Sequence, residues 1–251
     1  MSFANKIDML YDATLALVYP YACAACGVRS VEARADLPAC AACWRATHIF
    51  SGNETMCWKC GALARGASGA LEREKREDVR CRRCDDESWT AARACGVYEG
   101  ALRAAVLTLK HEPHVSARLA RLLLETQRRP PLDAATRIVP VPLHPRRERE
   151  RGFNQAATLG RALAAQTRLP FDEWSLVRTV YAERHRAGMD ARARRETVAD
   201  AFDVRRTRLI EGERVLVIDD VFTTGATVSA CARALRVAGA SEVFVLTVAR
   251  A

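Results

Sequence analysis

Apolar positions along this chain fall into two spacings. In Val215-Leu216-Val217-Ile218 they are consecutive and mostly β-branched, the pattern of a strand buried on both faces, as a parallel sheet requires. Shorter runs predict further strands at Ile138-Val139, halted by Pro140, Pro142 and Pro145, at residues 242–248, at Leu176-Val177, and at an edge in Phe202-Asp203-Val204. Elsewhere the apolar residues recur at helical spacing. Leu102, Val106 and Leu109 predict a helix over 101–110, and Val115, Leu119, Leu122 and Leu123 another over 115–128, with Pro113 breaking them apart. Ala156, Leu159, Leu163 and Ala164 mark a third after Gln155, and Val228, Cys231, Leu235 and Ala238 a fourth that stops at Gly239. The chain reads as α/β, with a mostly parallel sheet and flanking helices.

Three stretches depart from this pattern. Residues 1–20 space Phe3, Ile7, Leu10, Tyr11, Leu17 and Val18 helically, but Lys6, Asp8 and Asp12 interrupt any apolar run, so neither a membrane span nor a signal peptide is expected. Residues 61–80 are polar and read as a long loop, and residues 179–200 are polar and Arg-rich, reading as a mobile loop able to close over an anion.

Eight of the ten cysteines form four C-x-x-C pairs, Cys23/Cys26, Cys40/Cys43, Cys57/Cys60 and Cys81/Cys84. Without an export signal such pairs point to metal rather than disulfides, and place the protein in the cytoplasm. Two pairs complete a closed tetrahedral Cys₄ zinc site, which is structural because no coordination position stays open. Gly27 and Gly61 follow the first and third pairs, so residues 23–43 and 57–84 read as a repeated ribbon with loops of 13 and 20 residues. Sequential pairing is the expectation; a crossed pairing satisfies the same spacing. Cys95 and Cys231 read as small buried residues. Trp44, Trp58 and Arg82-Arg83 beside the knuckles suit base stacking and phosphate contacts, although such tryptophans more often form a ribbon's own core.

A net charge of +9 favours anionic partners, without choosing among nucleic acid, polyphosphate and a phosphorylated metabolite. Two strand ends carry the candidate chemistry. After Ile218 come two acids, Asp219 and Asp220, then the small-residue turn Thr223-Thr224-Gly225-Ala226-Thr227 and a helix. Such a turn aims backbone N–H groups at a phosphate, and the helix N-terminus adds about half a positive charge. After Pro145 comes Arg146-Arg147-Glu148-Arg149-Glu150-Arg151-Gly152-Phe153-Asn154-Gln155, read as a second anion-binding turn beyond the carboxyl end of a strand. Lys110-His111-Glu112 lies between two helices where it can face a ligand, with no catalytic role assigned to His111. Neither a G-x-G-x-x-G nor a P-loop sequence is present.

The strand, acid pair, turn and helix resemble the phosphoribosyl-pyrophosphate (PRPP) motif of type I phosphoribosyltransferases. Together with the cysteine pairs, Ile138-Val139-Pro140-Val141-Pro142-Leu143 and the R-G-F-N-Q stretch, nearly the whole chain resembles the ComF family of competence-protein-like proteins. The resemblance implies a type I phosphoribosyltransferase-like domain over residues 91–251, preceded by an N-terminal helix and double zinc ribbon over 1–90. It implies two structural Zn²⁺, Mg²⁺ with PRPP, and a link to DNA uptake or utilisation. Asp219 and Asp220 are then the catalytic acids that hold the ribose hydroxyls. Thr223, Thr224, Gly225, Ala226 and Thr227 hold the 5′-phosphate, and Arg149, Arg151 and Arg194 complete the PRPP site. Arg186 or His185, and Thr197-Val198 before Ala201-Phe202, depart from the family's usual loop residues. The expected activity is transfer of a phosphoribosyl group to an unnamed acceptor. The alternative is a non-catalytic PRPP-responsive module that binds single-stranded DNA or a partner among competence and DNA-processing proteins.

Overall fold

The computed structural model describes residues 21–63, 79–84, 86–181 and 200–251. The helical spacing at 1–20, most of the polar stretch after Gly61, and His185, Arg186, Arg194, Thr197 and Val198 lie outside them.

Two nine-residue strands, β5 (Arg214–Phe222) and β6 (Glu242–Arg250), run parallel in register from Arg214 opposite Glu242 to Phe222 opposite Arg250. β1 (Ala91–Val97) flanks β6 and β2 (Arg137–Pro140) flanks β5, giving one parallel sheet in the order β1-β6-β5-β2. A second, antiparallel pair joins β3 (Leu176–Arg178) to β4 (Phe202–Val204). The period-two alternation of strand side chains divides the core. Leu216, Ile218, Phe244, Leu246 and Val248 pack on one face with Leu102, Leu119, Leu123, Leu159 and Leu163, which belong to α2 (Gly100–Thr108), α3 (Ala117–Gln127) and α5 (Gln155–Thr167). Val215, Val217, Val243 and Val245 pack on the other with Val228, Cys231 and Leu235 of α6 (Ala226–Val237).

Two local expectations change. The acid pair does not end its strand: β5 continues to Phe222 because β6 offers a partner as far as Arg250. The Arg-rich run after Pro145 is not a turn but a short helix, α4 (Pro145–Arg151). Pro145 occupies its first turn, His144 Nδ1 accepts from the Arg146 N–H at 3.2 Å, and Arg146 pairs with Glu150 one turn on at 3.2 Å. Gly152 ends it at φ 85°. β1 was not legible as a strand because Ala-Ala-Arg-Ala-Cys-Gly-Val lacks a β-branched run; it is buried nonetheless.

The cysteine-bearing segments lie along β1. Phe50 N–H donates to the Cys95 carbonyl at 2.8 Å, Val97 N–H to that of His48 at 3.0 Å, and Ala92 N–H to that of Lys59 at 2.7 Å. The short helix α1 (Ala41–Ala46) carries Trp44, which is buried in the core it shares with α2. Gly96 permits this approach, since a Cβ there would stand 2.3 Å from the His48 carbonyl oxygen and 2.7 Å from Leu102 Cδ1. Gly96→Ala is therefore expected to cost about 1–3 kcal/mol and to lower Tm by about 2–4 °C per kcal/mol. Thermal denaturation checks it: a Tm equal to wild type means residues 48–50 do not pack so tightly on β1.

Candidate functional site

Beyond Phe222, Thr223 and Thr224 lead to Gly225, the N-cap of α6, at φ 80°. A side chain is excluded there twice, by the left-handed backbone and by rings, since a Cβ would meet Phe222 at 2.8 Å and Trp89 at 2.9 Å. The turn is held tightly, and the first N–H groups of α6 have no intrahelical partner. Ala226 N–H reaches Thr224 Oγ1 only at 3.4 Å. A turn and helix N-terminus of this kind can accept an anion.

Thr227 opens from this turn onto a cleft of 1110 Å³, lined also by Asp219 and Asp220 of β5, Arg147 and Arg151 of α4, Gln155 of α5, and Arg178 of β3. Val141 to Leu143, Lys110, His111, Glu150 and Tyr181 complete its walls. The Asp219 carboxylate accepts from the Asp220 N–H at 2.9 Å. Burial and the adjacent Asp220 carboxylate push the Asp219 carboxyl well above the usual range, with Arg178 opposing weakly. Gln155 links the acids to the arginines: its carbonyl accepts from Arg151, and its amide lies 3.5 Å from an Asp220 oxygen. Asn154, the N-cap of α5, accepts from Ala156 N–H and donates to the Val141 carbonyl, both at 3.0 Å, and so ties α5 to the exit of β2. Arg178 is itself lowered by desolvation; its cation faces the acids from the opposite sheet.

The sequence-predicted residues divide accordingly. Asp219, Asp220, Thr227 and Arg151 meet in the cleft, while Thr223, Thr224, Gly225 and Ala226 form the turn beside it. Arg149 is exposed and does not line it: on a helix, Arg147 and Arg151 share one face and Arg149 turns away. Arg194 lies outside the described residues. Sequence reasoning included Arg147 and Gln155 in the anion-binding stretch without singling them out, and overlooked Arg178 and Tyr181. Arg178 ends a strand whose apolar residues drew the attention. Lys110 and His111 do reach the cleft.

The cysteines gather sequentially, Cys23, Cys26, Cys40 and Cys43 in one group and Cys57, Cys60, Cys81 and Cys84 in the other, with each group's sulfurs within 4.8 Å of one another. Four sulfurs set tetrahedrally about 2.3 Å from zinc stand about 3.8 Å apart; here Cys23–Cys43, Cys57–Cys84 and Cys60–Cys81 are 3.8, 3.5 and 3.6 Å apart. The two knuckles repeat each other. Gly27 and Gly61 N–H donate to the Cys23 and Cys57 carbonyls at 2.8 Å, and Cys40 and Cys81 N–H donate to the Cys23 and Cys57 sulfurs at 3.2 Å. Burial opposes ionisation and pushes Cys43 up to about 12 and Cys60 to about 11, while main-chain N–H groups bring Cys23 down to about 6 and Cys57 to about 7; a metal binds all four as thiolates and releases the protons. Burial brings Arg93 down to about 10, although the Cys57 and Cys60 thiolates favour its charge; its guanidinium covers Trp58 at 4.9 Å. Trp44 is 2% exposed. Both tryptophans near the knuckles are thus engaged by the protein itself. Among the described residues no helix is long and apolar enough to cross a membrane.

Comparison with known proteins places this geometry among relatives. Residues 155–251 match the phosphoribosyl transferase domain family, which with the parallel sheet and its flanking helices makes the fold type I phosphoribosyltransferase-like. DNA utilization protein YhgH of Escherichia coli (strain K12) is 30% identical over 220 residues, covering 84% of this chain and 89% of the relative. Competence protein F of Haemophilus influenzae is 30% identical over 180 residues, 68% of this chain and 78% of its own. Competence protein ComFC of Bacillus subtilis is 35% identical over 98 residues, 39% of this chain and 37% of its own. Among solved structures, glutamine PRPP amidotransferase from Bacillus subtilis aligns over 57% of this chain and 30% of that one, with 19% identity and a TM-score of 0.38.

The raised Asp219 carboxyl carries a testable cost. A carboxyl whose pKa rises on folding stabilises the fold while protonated, and that contribution is lost as pH climbs from the ordinary carboxylate range through the raised value. Asp219→Asn keeps an oxygen for the Asp220 N–H and removes the charge. It is expected to raise Tm at pH 7, with the gain shrinking as pH falls toward about 4. Thermal melts across pH test this, and a variant less stable than wild type at pH 7 contradicts it.

Proposed function

Because the chain belongs to the ComF family, the family of the competence and DNA utilization proteins it matches, we propose that its cleft binds PRPP with Mg²⁺ and transfers the phosphoribosyl group to an acceptor. One observation carries this reading. The acid pair, the Gly225-capped turn and three arginines, Arg147, Arg151 and Arg178, converge on a single 1110 Å³ cleft. Asp219 and Asp220 accept hydrogen bonds from the ribose hydroxyls and place negative charge beside the oxocarbenium-like centre left when pyrophosphate departs. Backbone N–H groups of residues 223–227 hold the 5′-phosphate. Arg151 and Arg147 face the pyrophosphate, with Arg149 outside the cleft. Asp219 and Asp220, with the phosphates of PRPP, would hold Mg²⁺, which would supply charge neutralisation. Two zinc ions, one per Cys₄ group, supply folding energy to segments too short for a core of their own.

A second reading, binding of single-stranded DNA, gains support from a surface away from the knuckles. Of the four tryptophans Trp174 is 63% exposed, and its loop is fixed by Asp172, which accepts from the Trp174 and Ser175 N–H groups at 3.0 Å and from the Ser175 hydroxyl. Arg205 N–H donates to the Ser175 carbonyl at 2.8 Å, which ties the segment carrying the exposed Arg205, Arg206 and Arg208 to the Trp174 loop. An exposed ring on a loop tied to a basic segment suits stacking on a base and contact with phosphates.

Asp220→Asn replaces an acceptor oxygen with a donor. It is expected to weaken Mg–PRPP binding about ten- to a hundredfold, the loss of a hydrogen bond of about 1.5–3 kcal/mol to a charged group. Thr224→Ala costs less, because the phosphate is held mainly by main-chain N–H groups. Calorimetry decides: no binding by wild type, or equal binding by Asp220→Asn, removes the assignment. For the DNA reading, Trp174→Ala is expected to lower affinity for an unstructured oligonucleotide by about 1–3 kcal/mol, on top of a steep salt dependence. Unchanged affinity moves the contact elsewhere.

A further inference from the structure

The second Cys₄ group and the turn at Gly225 are joined by an unbroken series of contacts. Arg250, the last residue of β6, donates from Nη1 to the Cys60 carbonyl at 2.6 Å and stands with Nη2 3.7 Å from Cys60 Sγ. The same guanidinium lies 4.5 Å from the ring centroid of Phe222. Phe222 meets Trp89 edge-on at 5.7 Å, and these two rings are the ones that crowd Gly225. Trp89 sits in the segment that leaves Cys84, and this segment grips α6 along its length. Glu87 accepts from the Ser229 hydroxyl, and Arg236 donates to the Ser88 carbonyl at 3.4 Å and to Thr90 Oγ1 at 3.1 Å.

Among the described residues the first Cys₄ group has no comparable series of contacts to the turn at Gly225. Its corresponding cation, Arg118 of α3, covers Trp44 at 4.9 Å and pairs with Asp36 at 3.1 Å. The knuckle glycines differ in the same sense. A Cβ at Gly27 meets nothing within 4 Å, whereas one at Gly61 would stand 2.7 Å from the Ala92 carbonyl oxygen. Four thiolates on a divalent ion would retain net negative charge, so a guanidinium against Cys60 would then be held electrostatically as well as by its hydrogen bond.

We propose that Arg250 is a positioning residue that couples the second Cys₄ group to Phe222 and Gly225, so that the group sets the shape of the turn and its affinity for a phosphate. The effect on affinity rests on the PRPP reading above; the coupling itself does not. Arg250→Met keeps a stem of similar length over Phe222 but loses the charge and both contacts to Cys60. Phe222→Leu removes the ring while leaving the Arg250–Cys60 contacts, and serves if the first variant does not fold. Arg118→Met is the matched control at the first group.

Amide hydrogen exchange over residues 223–229 is the direct readout, and calorimetric titration with Mg–PRPP the second. Faster exchange there in Arg250→Met but not in Arg118→Met is expected, with PRPP affinity lower by about tenfold, the size of one charge-assisted hydrogen bond. Exchange equal to wild type overturns the coupling. Faster exchange with unchanged PRPP affinity overturns the claim that the group governs phosphate binding. If wild type binds no PRPP while exchange still quickens in Arg250→Met, the coupling stands and the PRPP reading falls.

Discussion

Everything functional in this protein hangs on the parallel pairing of β5 with β6. Both strands are apolar on both sides through their middle, and the pairing runs unshifted to their carboxyl ends. Because it does, Asp219 and Asp220 are presented from a fixed strand rather than a loose loop, and Phe222 arrives beside Arg250. A slip of one residue would exchange the two faces of β5, sending Leu216 and Ile218 toward α6 and Val217 toward α2. The register of the cleft is thus protected by the same apolar burial that stabilises the sheet.

The cleft itself opposes that stability. Two carboxylates lie next to each other on a strand, one of them desolvated enough to hold its proton more tightly, while Arg178 loses hydration on the facing sheet. Such placements are costly unless a ligand compensates them. An anion with hydroxyl groups would supply partners for both signs at once.

Long apolar runs and thiol spacing were legible in the sequence because each forces a local outcome. Val215-Leu216-Val217-Ile218 has few alternatives to a buried strand, and C-x-x-C pairs have few to a metal knuckle. The relation between distant segments was not legible. Nothing local announces that Ala91 to Val97 forms a strand, since its burial comes from Phe244 to Val248 alongside and from residues 48–50 over it. The Arg-rich stretch misled because charge suggested a turn, whereas Pro145, the Arg146–Glu150 pair and Gly152 specify a short helix. That helical phase then determines which arginines reach the cleft, selecting Arg147 and Arg151 over Arg149.

Among the described residues the parallel sheet has four strands, and neither of its outer sides is bare. Ile49 bridges to Gly96 along β1, and Phe171 bridges to Ile138 along β2, where Pro170 and Asp172 take up the main-chain groups of Ile138. A strand from another molecule finds few unpaired N–H and C=O groups on which to add, although the strands are among the most apolar parts of the chain. Growth by edge-to-edge templating is therefore disfavoured by construction.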